Sequence, residues 1–244
     1  MKIIELQNLT KTFENKTAVD NLNFGIESGE IFGLLGVNGA GKTTTIRMLT
    51  MQTRPTSGNF FYYDDSNEQK IIDEPKKILS MIGIVPQHLN FDQDLTVLEN
   101  LELHARLHHV KNFSERIENL LTYVDLKSVA NNSVKKLSGG MKRRLLIIRA
   151  LIHEPRILFL DEPTVALDPQ VRRKIWQSIR EMSDQGTTVI LTTHYIEEAE
   201  TLCNRVAILD AGKLIALDSP KNLCAKFELD TLEEVFLKLT GKTA

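Results

Sequence analysis

The spacing of hydrophobic positions changes several times along the chain, and each change predicts a different element. Near the start, Ile4-Glu5-Leu6 and Leu22-Asn23-Phe24-Gly25-Ile26 alternate apolar with polar, and Ser28-Gly29-Glu30 follows as a turn. A period of two is that of a strand with one buried face, so residues 1 to about 30 read as an antiparallel sheet. Ile31-Phe32-Gly33-Leu34-Leu35 is a continuous apolar run, the signature of a buried strand. Further on, Thr56-Ser57-Gly58-Asn59 reads as a turn and Phe60-Phe61-Tyr62-Tyr63 as the strand after it. Ile82-Gly83-Ile84-Val85 is another strand, ending at Pro86-Gln87.

From about 94 to 153 the period becomes helical. Thr96-Val97-Leu98-Glu99 is a capping box, with Leu98, Leu101 and Ala105 on one face behind it. Ile117, Leu120, Leu121 and Val124 repeat the spacing, as do Met141, Leu145, Ile148 and Ile152 before Pro155. Strands then return as Ile157-Leu158-Phe159-Leu160, Thr188-Val189-Ile190-Leu191 and Val206-Ala207-Ile208-Leu209. Between them, Asp168-Pro169 opens a helix that turns Val171, Ile175, Ile179 and Met182 inward, and a second helix buries Ile196, Ala199 and Cys203. Asp210-Ala211-Gly212-Lys213 is a hairpin signal before Leu214-Ile215-Ala216. A second capping box, Thr231-Leu232-Glu233-Glu234, starts a terminal helix carrying Val235, Phe236 and Leu239. The expected architecture is an α/β core interrupted by an all-helical insertion.

Composition changes this picture little. The 244 residues suit one large α/β domain, and 42% hydrophobic with 25% charged residues argues against disorder. A net charge of −2 supplies no general basic field for nucleic acid. Cys203 and Cys224 lack metal-ligand spacing and read as buried free thiols. The first residues, Met1-Lys2-Ile3-Ile4-Glu5, do not read as a signal peptide, and no apolar run has the length to span a bilayer. A cytosolic protein is expected, which leaves docking onto a membrane protein open.

The candidate chemistry lies between the buried strand and the next helical run, where Ile46 and Leu49 recur. There, Gly36-Val37-Asn38-Gly39-Ala40-Gly41-Lys42-Thr43-Thr44 fits the phosphate-cradle pattern G-x-x-x-x-G-K-[ST] in its required strand–loop–helix context. Glycines let successive N–H groups point into one concavity, and the helix that follows aims its unpaired N–H groups and positive dipole end at the same anion. Lys42 adds a charge near the outer phosphates, and the Thr43 hydroxyl is placed to ligate Mg²⁺. The plain alternative is a glycine turn that happens to precede a lysine.

Other residues acquire meaning beside that loop. Asp161 ends an apolar strand, the place from which a carboxylate orients Mg²⁺ in phosphate-loop ATPases, and the adjacent Glu162 can deprotonate an attacking water. Gln87, just past a strand end, can reach a metal or that water, or be an ordinary loop residue. His194 ends a neighbouring strand and can meet the γ-phosphate or be structural. Phe13 can stack on a purine, or be a core or surface aromatic. Ser138 caps a helix whose first residues, Gly139 and Gly140, leave its end bare. That makes a second anion site, or else an ordinary capped helix whose Lys142-Arg143-Arg144 is a solvated basic face.

Together these residues resemble the ATPase subunit of an ATP-binding cassette (ABC) transporter over essentially the whole chain. Gly36–Thr43 is similar to the family's Walker A loop, Gln87 to its Q-loop glutamine and Leu137-Ser138-Gly139-Gly140-Met141 to its signature motif. Ile157–Asp161 resembles Walker B with Glu162 as the catalytic glutamate. Ala166-Leu167-Asp168 resembles the D-loop, His194 the switch histidine and Phe13 the adenine-stacking aromatic. The resemblance implies a P-loop NTPase core at about 1–86 and 155–218 that includes an N-terminal antiparallel β subdomain. It also implies a helical subdomain at about 87–154 and a helical tail at about 219–244.

The resemblance further implies ATP and Mg²⁺ as cofactors. Thr43, Gln87 and Asp161 would serve the metal, Glu162, His194, Gln87 and Lys42 would serve catalysis, and residues 36–44, 138–140 and Phe13 would hold nucleotide. Two copies, or this chain and a related one, would sandwich ATP between one chain's Walker loop and the other's Ser138-Gly139-Gly140. A separate multi-span permease would hold the subunit at the cytoplasmic face of the membrane. Departures are Met141 for the commoner glutamine, Ala166 for the glycine usual before Leu167-Asp168, and Ile148 for a small alanine.

The signature stretch and the tail Thr231–Gly241 are similar to the drug- and lipid-exporting, daunorubicin-exporter-like branch. Two rival readings remain. A soluble ABC ATPase acting on nucleic acid or ribosomes would carry long coiled coils or a second cassette, which this sequence lacks. A metabolic phosphate-loop kinase leaves Ser138-Gly139-Gly140 unexplained.

Overall fold

The computed structural model describes residues 1–64, 69–71 and 74–241. Two sheets organise them. The first is antiparallel, in the order β2-β1-β4-β5, from β1 (Lys2–Phe13), β2 (Lys16–Glu27), β4 (Ser57–Asp64) and β5 (Gln69–Ile71). Its register follows the alternation: Ile4 pairs with Ile26 and Leu6 with Phe24, and all four are buried.

The second sheet runs β10-β9-β3-β8-β7-β6. It contains β3 (Ile31–Leu35), β6 (Ile82–Val85), β7 (Ile157–Asp161), β8 (Thr188–Thr193), β9 (Arg205–Asp210) and β10 (Lys213–Asp218). β9, β3, β8, β7 and β6 are parallel, and β10 joins β9 by the expected antiparallel hairpin. Every residue of β3, β7 and β8 is buried, which is why β3 and β7 read as apolar runs up to Asp161. The parallel order has a functional consequence: the C-terminal ends of β3, β8, β7 and β6 lie side by side at one edge, where open α/β sheets hold ligands.

Helices cover this sheet. α1 (Lys42–Leu49) follows β3, and α2 (Pro75–Met81) precedes β6. Between β6 and β7 the chain forms α3 (Val97–Leu107), α4 (Phe113–Tyr123) and α5 (Gly139–Leu151). The Thr96–Glu99 capping box starts α3 as expected. α6 (Pro169–Asp184) and α7 (Ile196–Leu202) flank β8, and α8 (Pro220–Phe227) and α9 (Leu232–Thr240) close the chain. α9 carries the second capping box and buries Leu232, Val235 and Phe236.

Two hydrophobic cores result, one on each face of the parallel sheet. One joins Ile4, Leu6 and Phe24 of the antiparallel sheet to Phe159 and Ile190. The other joins Leu101, Ile117 and Leu145 of the inserted helices to Leu160 and Leu191. The insertion therefore has no separate interior. Ile148 is fully buried in that shared core. Among the described residues, no helix is long and apolar enough to cross a membrane.

Three features differ from the sequence reading. The expected turn at 56–59 is already strand: β4 starts at Ser57, and its register against β1 shifts between Gln7 and Thr10. Gly58 makes this possible, because its φ is +76° and a Cβ there would lie 2.0 Å from the Asn8 carbonyl oxygen. Cys203 is buried as expected, but Cys224 is only half-buried; both are free. α2 and β5 add elements that the apolar pattern did not indicate.

Gly58→Ala is expected to lower unfolding stability by about 2 kcal/mol, from strain at a left-handed position with a backbone oxygen in the way. Urea unfolding of the two proteins measures it; an unchanged midpoint would mean β4 pairs with β1 differently.

Candidate functional site

The glycine loop joins β3 to α1 at the C-terminal edge of the parallel sheet. Its path is enforced from behind: a Cβ at Gly36 would lie 2.5 Å from the Leu209 carbonyl, and Gly41, at φ +101°, faces the Ala18 carbonyl equally closely. The Gly212 N–H donates to the Ala40 carbonyl, pinning the loop to the β9–β10 hairpin. Asn38, Gly39, Gly41, Lys42, Thr43 and Thr44 line a cleft of about 700 Å³. Gly36, Val37 and Ala40 lie behind that wall; Val37 packs against both cores, and Ala40 is buried. α1 begins at Lys42, so its first N–H groups, which have no intrahelical partner, open toward the cleft.

Lys42 is buried, and its Nζ donates to the carbonyls of Gly36 (2.7 Å) and Val37 (3.1 Å). Burial lowers its pKa from the usual lysine value, and the nearby Glu162 and Asp161 carboxylates oppose that shift.

Two carboxylates close the inner wall. Thr43 Oγ1 and Thr192 Oγ1 both donate to Asp161 Oδ1, at 3.0 and 2.6 Å. The Glu162 N–H donates to Thr192 Oγ1 at 2.9 Å, so β8 fixes both acids at the end of β7. Glu162 itself holds a left-handed backbone, φ +49°, a costly geometry for a non-glycine residue. Its side chain is the meeting point of the site. Gln87 Nε2 donates to Oε2 at 3.0 Å, His194 Nδ1 lies 3.2 Å from Oε1, and Lys42 Nζ lies 3.9 Å from Oε1. Both carboxylate oxygens are thus held in place. A hydroxyl and a carboxylate oxygen at Thr43 and Asp161 form a hard oxygen donor set, the kind a magnesium ion takes.

Phe13 stands on the outer wall of the same cleft, 48% exposed, with Lys11 Nζ 4.9 Å from its ring centroid. An aromatic face left open beside a phosphate cradle can stack on a base. Ser138, Gly139 and Gly140 do not line this cleft. Ser138 caps α5 by accepting from the Met141 N–H at 3.2 Å, and nothing would obstruct a Cβ at Gly139. The start of the helix is therefore unobstructed at Gly139. Ala166 has φ +58°, which explains why a glycine suits that position. Asp168 caps α6 by accepting from the N–H groups of Gln170 and Val171.

The basic face that the capped-helix alternative would leave in solvent is mostly turned inward. Arg143 is 6% exposed and lies directly beneath the acids. Its Nε donates to the Pro163 carbonyl and Nη1 to those of Pro86 and Gln87, while Nη2 donates to those of Asp161 and Glu162. One planar fork thereby ties the end of β6 to the end of β7. Burial lowers its pKa to about 10, opposed by Asp161, Glu198 and Glu162, so it stays charged at neutral pH. Arg144 likewise turns inward, donating to the Val124 carbonyl. The missed signal was helical phase: Arg143 stands three, four and seven residues before the buried Leu146, Ile147 and Ala150. Glu198 was missed too. It is buried on α7 and accepts from Thr164 Oγ1 and Trp176 Nε1, bracing the segment after Glu162.

A sequence profile described as ABC transporter matches residues 19–165. The chain is 42% identical over 223 residues to the Nod factor export ATP-binding protein I of Cupriavidus metallidurans, covering 91% of this chain and 72% of that protein. It is similar to a solved ATP-binding subunit of an ABC transporter, with TM-score 0.87 and 26% identity, covering 97% of this chain and 99% of the other. A dimeric ATP-binding cassette in a post-hydrolysis state, bound to ADP and Pi, matches with TM-score 0.78 and 32% identity over 89% of this chain and 98% of its own.

Arg143→Met is expected to cost at least about 3 kcal/mol of unfolding stability, because it strands several buried carbonyls. Lys142→Met, one residue away, should stay within about 0.5 kcal/mol of the parent. Equal effects in chemical denaturation would return Arg143 to the solvated face.

Proposed function

The chain belongs to the ABC transporter family, and we propose that it couples ATP hydrolysis to export through a separate membrane-spanning partner. As an ATP-binding subunit of that family it is an ATPase, converting ATP and water to ADP and phosphate to power transport. The observation that carries the residue-level reading is the convergence of Lys42, Gln87 and His194 on the Glu162 carboxylate, beside Thr43 and Asp161.

In this reading the loop N–H groups and Lys42 hold the β- and γ-phosphates, and Phe13 stacks on the adenine. Thr43, Asp161 and Gln87 hold Mg²⁺, which when bound offsets phosphate charge. Glu162 accepts the proton of a water that attacks the γ-phosphorus, and the electron pair of the broken bond leaves with the bridging oxygen of ADP. Gln87 and His194 keep that carboxylate aimed. Beside that carboxylate oxygen, His194 serves as the donor from Nδ1.

The bare α5 end supports a dimer in which Ser138, Gly139 and Gly140 of one chain complete the nucleotide site of the other. The second chain is a copy or a related subunit, and the dimeric ADP-bound cassette is the precedent. ATP then stabilises the closed dimer because it binds that state better, and hydrolysis removes the bridge. The helical segment at about 87–154 carries the motion from Gln87 to a multi-span permease at the cytoplasmic face of the membrane. Export, as opposed to import, is favoured by the relatives named for Nod factor export. The cargo is set by the membrane partner.

Glu162→Gln keeps the shape and one acceptor oxygen, turns the other into an amide donor and removes the base. Hydrolysis is expected to fall ~10²–10⁴-fold, and light scattering should find a dimer at saturating ATP and Mg²⁺. A monomer under those conditions would contradict the sandwich, and undiminished hydrolysis would remove Glu162 from its role.

A further inference from the structure

Far from the nucleotide cleft, three histidines meet where the helical insertion touches the root of the parallel sheet. His104 lies in the last turn of α3 and His108 is the residue that caps its C-terminal end, four positions on, with ring centroids 4.5 Å apart. His153 follows α5, and its ring lies 4.0 Å from that of His108 and 6.2 Å from that of His104. One ring nitrogen from each residue lies within 4.8 Å of the other two. None of the three lines the nucleotide cleft.

His153 is poised as a ligand. Its Nε2 is 2.9 Å from the Ile82 carbonyl oxygen, which can only accept, so Nε2 carries the proton and Nδ1 is a bare lone pair. That Nδ1 is buried and has no hydrogen-bond partner. A ring held by a carbonyl on one nitrogen with the other free is the usual outer arrangement of a metal-binding histidine. Burial lowers the pKa of all three rings.

The surrounding charges select the class of ion. Arg149 from α5 bears on His104, and Arg116 from α4 bears on His153. Arg116 is paired with Glu154, and Arg149 lies over the Phe91 ring. No carboxylate belongs to the trio. Such a site offers imidazole coordination rather than net negative charge, which suits zinc-class ions and not Mg²⁺ or Ca²⁺. A cavity of about 690 Å³ opens on His108 and His153 and gives an entry path and room for a water at the fourth position.

We propose that His104, His108 and His153 form a binding site for a divalent transition-metal ion of the zinc class, bridging α3 to the start of β6. Zinc–nitrogen bonds of about 2.0–2.1 Å require the ring nitrogens to close toward one another, with His108 rotating off its stack on His153. The ion would then clasp the insertion to the sheet at Ile82. Its effect on turnover depends on the transport reading above, but its binding does not.

The test is titration of tag-free, nucleotide-free protein with Zn²⁺ by calorimetry and with Co²⁺ by visible absorption, in excess Mg²⁺ to occupy the Asp161 site. One ion per chain is expected, with a tetrahedral Co²⁺ spectrum and a rise in melting temperature on adding Zn²⁺. His153→Gln retains a donor toward Ile82 and removes the Nδ1 ligand. It and His104→Ala should each weaken binding by more than the about 10–100-fold typical of an outer-shell change. His109→Ala, at an exposed neighbour, should bind like the parent. Absence of stoichiometric binding, parent-like affinity in folded His153→Gln, or equal dependence on His109 would each overturn the site.

Discussion

A buried guanidinium must satisfy all its donors, and that requirement organises the reactive edge of this protein. Arg143 reaches five carbonyl oxygens, those of Pro86, Gln87, Asp161, Glu162 and Pro163. These belong to the ends of two adjacent parallel strands. The side chains hanging from the same residues, Gln87 and Glu162, then touch each other at 3.0 Å. The fork comes from α5, whose N-terminus is the second candidate nucleotide surface. One side chain therefore links the helix that would contact a partner's ATP to the acid that would act on its own chain's ATP. Such a device needs a rigid, planar, permanently charged group, which arginine provides and lysine does not.

The two cores explain how this edge is held and how it can communicate. The glycine loop is backed by the antiparallel sheet and the β9–β10 hairpin, through Ala18, Leu209 and Gly212. The acids are backed by β8 through Thr192. The inserted helices share one close-packed interior with β7 and β8. A close-packed interior passes displacement on with little absorption. A change at Gln87 would thus be felt both by the insertion and by the Glu162 carboxylate, which is what the proposed coupling of hydrolysis to a membrane partner requires.

What was legible in the sequence was what local chemistry encodes. The glycine loop, the Asp161-Glu162 strand end and the two capping boxes each carry their reason within a few neighbouring residues. Glu162, Gln87 and His194 could be proposed because strand ends of a parallel sheet share an edge. Arg143 was obscured by its basic neighbours: a run of like charges suggests solvent, and only its phase relative to Leu146 and Ile147 shows the buried face. Gly58 could not be read as part of a strand without the Asn8 carbonyl that lies opposite it. α2 buries only Ile78 and Met81, too few positions to display a period. The histidine trio joins residues nearly fifty positions apart, and no local pattern relates them.

A paired determination of ATP affinity and hydrolysis rate for Arg143→Lys, under conditions where unfolding curves show it folded, tests what the buried arginine does. ATP affinity is expected within about threefold of the parent, since the glycine loop is untouched, with hydrolysis reduced at least about tenfold because Gln87 and Glu162 lose their common brace. Unchanged hydrolysis, or affinity and rate falling together, would contradict the role assigned to the buried arginine.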